Sequence, residues 1–243
     1  MLSYVNIADM AQDKAPRWLP IESNPDVLNS FLQKLGVPAQ WQINDVYGLD
    51  SELLMMLPQP VLALMLLFPI TDKYQEFARS LEAEMKSVKV SEKLFYMKQT
   101  ISNACGTVAL MHSVINNVIS GVIELEEGPL KTFVEATKDM SPEERAEKLE
   151  FDDKICDSHD AAAREGQTAA PDRDDKVDYH FIAFVNVDGG LYELDGRKSG
   201  PVLKGKSSAE TFLTDAASAC REYMSHDPDN INFTMMALTA RDE

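Results

Sequence analysis

Cys105 stands in the run Gln99-Thr100-Ile101-Ser102-Asn103-Ala104-Cys105-Gly106-Thr107, just ahead of an apolar stretch with Val108, Met111, Ile115 and Ile119 at near-helical spacing. A thiol at the start of a helix feels the positive end of the macrodipole. That favours the thiolate, the reactive form of cysteine. Gly106 would let a substrate backbone come close. Taken alone, a cysteine before an apolar helix is more often a core residue filling a gap. Cys156, in an acidic stretch, and Cys220, on the apolar side of a later helix, take that structural reading.

A nucleophilic thiol needs a base, and the chain has 4 histidines. His112 lies two helical turns beyond Cys105, too far along one helix to touch it. His159 falls in the acidic stretch and His226 in the polar turn Ser225-His226-Asp227-Pro228. His180 differs from these, because it opens the apolar run Tyr179-His180-Phe181-Ile182-Ala183-Phe184. Asp195, in Leu194-Asp195-Gly196-Arg197, ends the strand expected to pair with that run. In an antiparallel hairpin those two ends are neighbours. A carboxylate there could hold the imidazole in one tautomer, as the third member of a triad does. An Asp-Gly turn is the alternative. Gln99, six residues before Cys105, offers a neutral amide that could stabilise an oxyanion beside backbone N–H groups. In chain order the four supply donor, nucleophile, base and orienter, which is acyl transfer by a thiol with the acyl group left open.

The elements that must position these residues follow from periodicity and turn chemistry. Asn24-Pro25 caps a helix carrying Leu28, Phe31, Leu32 and Leu35, with Gly36 closing it. Trp41, Ile43, Asp45 and Tyr47 alternate with Gln42, Asn44 and Val46 as a strand, and residues 50–57 form a short helix. Val61 to Phe68 suits a fully buried strand. Thr71 caps a charged helix bearing Tyr74, Phe77, Leu81 and Met85, and Ser141-Pro142-Glu143-Glu144 is a capping box. Tyr179–Val187 and Leu191–Leu194 form a hairpin through Asp188-Gly189-Gly190. A helix over 208–224 and a strand over 231–238 complete the chain. Residues 152–178, rich in acids and without an aromatic residue, read as a long surface loop. Residues 1–17 are weakly patterned and are expected to form an extension. Residues 18–243 are expected to form one α/β domain, because helices and strands alternate without a seam.

Composition narrows the function. The 243 residues carry 40 Asp and Glu against 23 Lys and Arg, a formal net charge of −17. Such a field repels nucleic acid and anionic membrane surfaces and attracts a basic partner. The longest apolar run, between Pro60 and Pro69, is too short to span a bilayer. The 3 cysteines are widely spaced with no CxxC pair, which argues against a zinc site, and no cofactor is expected. An odd cysteine count without a signal peptide suggests reduced thiols in the cytoplasm or nucleus.

Several segments resemble the ubiquitin C-terminal hydrolases. They are Phe95 to Thr107, Val187 to Arg197, Trp18-Leu19-Pro20-Ile21-Glu22 with Asn24-Pro25, Leu67 to Thr71, Met140 to Ala146 and Glu165-Gly166-Gln167. The resemblance runs from about Trp18 to the end. It implies a papain-like cysteine peptidase: a central antiparallel sheet flanked by helices, a knotted backbone, and a loop crossing over the active-site cleft. Carried over by motif, Cys105 is the nucleophile, His180 the general base, Asp195 its orienter, and Gln99 lines the oxyanion hole. Residues 152–178 match the crossover loop, which would exclude large folded leaving groups and order on substrate binding. Glu22 and Asp45 match ubiquitin-contacting acids. The chain stops soon after Ala240, like the short stand-alone members, some of which also accept the ubiquitin-like modifier Nedd8. The resemblance thus implies a monomer that cleaves small adducts from ubiquitin through an acyl-enzyme thioester. A low-turnover ubiquitin-binding protein is the alternative.

Overall fold

The computed structural model describes residues 16–84, 90–168, 175 and 177–241. A six-stranded antiparallel sheet runs through it in the order β1-β6-β2-β3-β4-β5. The strands are β1 (Trp41–Asp45), β2 (Val61–Pro69), β3 (Tyr179–Val187), β4 (Gly190–Leu194), β5 (Val202–Lys206) and β6 (Thr234–Ala240). Strands distant in sequence thus become neighbours: β2 sits between β6 and β3, with Phe68 opposite His180.

Helices cover both faces. They are α1 (Pro25–Leu35), α2 (Ser51–Leu54), α3 (Asp72–Glu84), α4 (Cys105–Ile119), α5 (Pro129–Thr137), α6 (Pro142–Glu150), α7 (Asp153–Ala163) and α8 (Phe212–His226). The period of two along β3 divides its side chains between two cores. Phe181, Ala183 and Val185 join α1, α4 and α5 in one core. Ile182 and Phe184 join α8 and Phe77 of α3 in the other. α4 is apolar nearly all round, and Gly106 to Asn117 are buried. That is the pattern of a helix enclosed by other elements.

Local signals behave as their chemistry predicts. Asn24 accepts from the Asp26 N–H, and Gly36 closes α1 in the left-handed conformation at φ 90°. Thr71 Oγ1 accepts from the Tyr74 N–H at 3.2 Å. The reciprocal capping box of Ser141 and Glu144 opens α6. Ser141→Ala should therefore cost about 1 kcal/mol, measured by urea unfolding. An unchanged midpoint would show that tertiary contacts alone hold α6.

Four expectations need correction. Residues 152–178 are not one long loop, because Asp153–Ala163 is helical. Asp152 caps it by accepting from the Ile155 N–H at 3.1 Å. Ile155, His159 and Ala162 lie four and three residues apart and are buried on one face, a helical stripe hidden by the acidic residues between them. His159 is accordingly buried, and Cys156 packs against the core. The strand from Trp41 ends at Asp45, with Tyr47 81% exposed. The last strand starts at Thr234 rather than Ile231, and the helix expected over 208–224 runs Phe212–His226. The strand β5 and helix α5 carry no strong periodic signal and were not anticipated. Of the extension, residues 1–15 lie outside the described residues, as does Met85. Pro16 and Arg17 run beside the segment before Cys105: the Ser102 N–H donates to the Pro16 carbonyl at 2.9 Å.

Candidate active site

Cys105 is the first residue of α4. The chain enters this helix through Asn103, held in the left-handed region at φ 65°. Asparagine tolerates that conformation better than most residues, and here its side-chain amide donates to the Trp18 carbonyl at 3.2 Å. The next residue, Ala104, has no side-chain oxygen to cap the helix. The first N–H groups of α4 are thus left to other acceptors, which is what a helix terminus offers an anion.

β3 carries His180 to the sheet end nearest that terminus, and the chain leaving β4 brings Asp195. Both are buried, at 1% and 2% exposure. His180 Nε2 donates to Asp195 Oδ1 at 2.6 Å, and the same oxygen accepts from the Arg197 N–H at 2.9 Å. With Nε2 engaged, Nδ1 is the nitrogen left for the thiol. Nδ1 meets no partner at full hydrogen-bond geometry among the described residues, yet Cys105 and His180 shift one another. Thiol and imidazole are thus close enough to act on one another, through a weak hydrogen bond and through charge.

The shifts have opposite signs. For Cys105, burial would raise the thiol's pKa, but His180 beside it, the Phe181 backbone and Arg197 outweigh burial and bring it below the ordinary value of 9.0. For His180, burial favours the neutral ring, but Asp195 and then Cys105 outweigh it and raise the pKa above 6.5. Asp195 itself is held well below the usual carboxylate range: its burial is overcome by His180, Lys198 and the Arg197 N–H. Both shifts run in the direction of a thiolate–imidazolium pair steadied by a carboxylate.

Gln99 reaches the site by another route. Its backbone N–H donates to the Gly196 carbonyl at 2.9 Å, tying the nucleophile's segment to the aspartate's. Its side-chain amide donates to the Ile101 carbonyl at 3.2 Å and lines a cavity that shares Asn103, Val177 and Arg197 with the cleft at Cys105. A Cβ on Gly196 would lie 2.8 Å from the Gln99 Cβ and 3.0 Å from its backbone nitrogen. Gly196→Ala should therefore push the two segments apart and lower turnover about 10- to 100-fold, by the sensitivity of reacting geometry to small displacements. Wild-type kcat in that variant would refute the close fit.

The cleft at Cys105 has a volume of ≈ 300 Å³. Leu67, Tyr179 and Phe181 line it, together with Ile21 and Glu22. Ala163, Thr168 and Val177 also line it, so both described ends of the expected crossover segment border the nucleophile. Residues 169–174 and 176 lie outside the described residues. Gly106 lines the cleft, and a Cβ there would meet Ile21 Cγ2 at 2.4 Å, so the glycine lets Ile21 pack against the start of α4. Glu22 Oε2 accepts from the Thr168 N–H at 3.4 Å. Asp45, at the end of the edge strand β1, does not line the cleft. Its pKa is raised by partial burial and then by repulsion from Asp26.

The other histidines and thiols fall outside this constellation. His112 is buried and accepts from the Met97 N–H at 3.1 Å. His159 lies 2.7 Å from Thr107 Oγ1 and 2.7 Å from the Leu19 carbonyl. Burial pushes the Cys220 thiol well above its ordinary value. One contributor was missed in the sequence: Arg197, an exposed cation lining both cavities and favouring the thiolate. Its position two residues after Asp195, in the same turn, was the available signal. Among the described residues no cluster of His, Cys, Asp or Glu could hold a metal ion.

Comparison with known proteins places this geometry. A profile described as "Ubiquitin carboxyl-terminal hydrolase, family 1" matches residues 18–225. A ubiquitin carboxyl-terminal hydrolase of Drosophila melanogaster is 48% identical over 225 residues, covering 92% of this chain and 97% of that protein. Human ubiquitin carboxyl-terminal hydrolase isozyme L1 is 47% identical over 220 residues, covering 90% and 96%. The catalytic domain of Trichinella spiralis UCH37, solved bound to ubiquitin vinyl methyl ester, superposes with a TM-score of 0.75 at 23% identity, covering 96% of this chain and 100% of that one.

Proposed function

The chain belongs to the ubiquitin carboxyl-terminal hydrolase family and is a cysteine-type deubiquitinase, and on that premise we propose that Cys105, His180, Asp195 and Gln99 carry its reaction. The observation that supports this most directly is the lowered pKa of a thiol at a helix start beside a His180 that is itself bonded to Asp195.

The thiolate of Cys105 attacks the carbonyl carbon of ubiquitin's C-terminal glycine, forming the S–C bond and moving the π electrons onto oxygen. Backbone N–H groups at the start of α4 and the Gln99 amide stabilise that oxyanion. His180 passes its proton to the leaving amine or thiol as the tetrahedral intermediate collapses to a thioester. Water then adds to the thioester with His180 as base, and the thiol returns as ubiquitin's carboxylate is released. Asp195 steadies the imidazolium in both halves.

The cleft would take the diglycine tail of ubiquitin, whose last two residues carry no side chain to fit beside Ile21 and Phe181. Glu22 in its lining would meet a basic residue of that tail. Asp45 crowds Asp26, a repulsion that a cation from the partner would relieve. Small adducts and short peptides are the leaving groups, because the segment bordering the cleft at Ala163, Thr168 and Val177 limits what passes. Residues 18–243 work as one catalytic domain, as a monomer, in the cytoplasm and nucleus, where its three cysteines remain thiols. Nedd8 is a second substrate.

The test is release of a fluorescent amine from the C-terminus of ubiquitin, beside the matched Nedd8 derivative. Turnover of both supports the whole reading, whereas turnover of ubiquitin alone removes Nedd8. Tight binding of ubiquitin with no turnover would replace the hydrolase by a ubiquitin-holding protein.

A further inference from the structure

Two phenols that take no part in bond making hold Asp195. The Tyr96 hydroxyl lies 2.8 Å from the Asp195 carbonyl and 2.7 Å from the Lys198 carbonyl, its one proton shared between them. The Tyr74 hydroxyl donates to Asp195 Oδ2 at 3.4 Å, opposite the oxygen that binds His180. The two residues come from different parts of the chain, and each is braced by an aromatic neighbour, His112 for Tyr96 and Phe68 for Tyr74.

Tyr96 is buried, and its ring stacks on His112 of α4 at 5.3 Å and 12°. Burial pushes His112 down to about 4, so it is an uncharged support at neutral pH. Tyr96 thus connects the end of β4 to the helix that Cys105 begins. Tyr74 sits in the first turn of α3, set by the Thr71 cap, with its ring 4.5 Å from that of Phe68. Phe68 in turn lies edge-on to His180 at 5.8 Å. Burial, and next the Asp195 charge, raise the pKa of both phenols, so both remain donors.

We propose that Tyr96 and Tyr74 are positioning residues for the reaction: Tyr96 sets where the Asp195 backbone stands relative to α4, and Tyr74 fixes the rotation of its carboxylate. The proposal rests on the reading of Asp195 as the orienter of His180. A carboxylate free to turn or shift spends part of its time off the imidazole. His180 then holds its proton less well, and the Cys105 thiolate loses its partner. The titratable and charged groups facing Asp195 and the two phenols are Cys105 and His112 from α4, Glu193 from β4, Arg197 and Lys198 from the turn after it, Tyr223 from α8, Glu143 and Arg145 from α6, and Lys98 beside the Tyr96 ring. Neither tyrosine variant alters any of them.

The experiment uses the full chain and the variants Tyr74→Phe and Tyr96→Phe, with Asp195→Asn as control. It reads kcat and KM on the fluorescent ubiquitin derivative, and the pH midpoint of Cys105 alkylation by iodoacetamide. Positioning predicts a loss of kcat of about 10-fold in each phenylalanine variant, little change in KM, and a higher alkylation midpoint. A lowered melting temperature with wild-type kcat and midpoint would reduce both tyrosines to packing residues and overturn the proposal. A lower midpoint in Tyr74→Phe would also overturn it, since a donor that only stabilised the carboxylate's charge would act in that direction. Should Tyr96→Phe fail to fold, Tyr74→Phe decides alone, because its ring packing is kept. If Asp195→Asn itself left the midpoint unchanged, the failure would belong to the triad and not to the tyrosines.

Discussion

Replacing Cys105 with alanine should lower kcat/KM for amine release from ubiquitin by about 10⁴-fold or more, while ubiquitin still binds. The thiol is the group that forms the new covalent bond, and the structure offers no substitute nearby among the described residues. Cys156 lies on α7 and packs against the core, and Cys220 is buried on α8 in the other core. Serine should not rescue the reaction. Its hydroxyl ionises far above any value that the His180 pairing could bring into range, so the anion that begins the reaction is never populated. Binding should survive because Glu22, Leu67 and Phe181, which shape the cleft, are untouched. Retention of even a tenth of wild-type turnover in Cys105→Ala would move the nucleophile elsewhere.

Asp195→Asn should cost about 10²- to 10⁴-fold in kcat with a small change in KM. The amide has nearly the shape of the carboxylate but no charge, so His180 loses what raises its pKa, and Cys105 in turn loses the imidazolium that lowers its own. In the wild type the lowered pKa of Cys105 and the raised pKa of His180 both widen the pH range in which thiolate and imidazolium coexist. The substitution raises the lower bound and lowers the upper one, narrowing the window from both sides. Loss should be clearest in the pH range between the wild-type midpoint of the thiol and the variant's higher one. Alkylation of Cys105 across that range measures this without any substrate. Identical pH profiles for the two proteins would show that Asp195 does not set the ionisation of the pair.

Residue type and spacing were informative wherever the controlling interaction was local. The capping box at Ser141, the cap at Asn24, the Asp188-Gly189-Gly190 turn and the apolar α4 depend on neighbours within a few positions. So does the closeness of His180 and Asp195, because a hairpin brings those strand ends together whatever else the chain does. The segment 152–178 misled because its acidic residues mask a helical stripe of Ile155, His159 and Ala162. That stripe is apparent only once Trp18 and Phe31 are there to cover it, with the His159 ring tilted against that of Trp18 at 4.4 Å. Asp45 was placed by motif alone, and β1 carries it to an edge of the sheet away from the cleft.

By itself, then, the sequence determined the chemical inventory: a thiol before a helix, a histidine and an aspartate at paired strand ends, a nearby amide, and an acidic field. Tertiary structure alone decided what those groups became. The lowered thiol pKa needs α4 set against β3, the depressed Asp195 needs burial beside His180 and Lys198, and its hold by Tyr74 and Tyr96 spans residues about a hundred positions apart. Local periodicity reports which face of an element is apolar, whereas ionisation and orientation depend on which distant charge or donor arrives at that face.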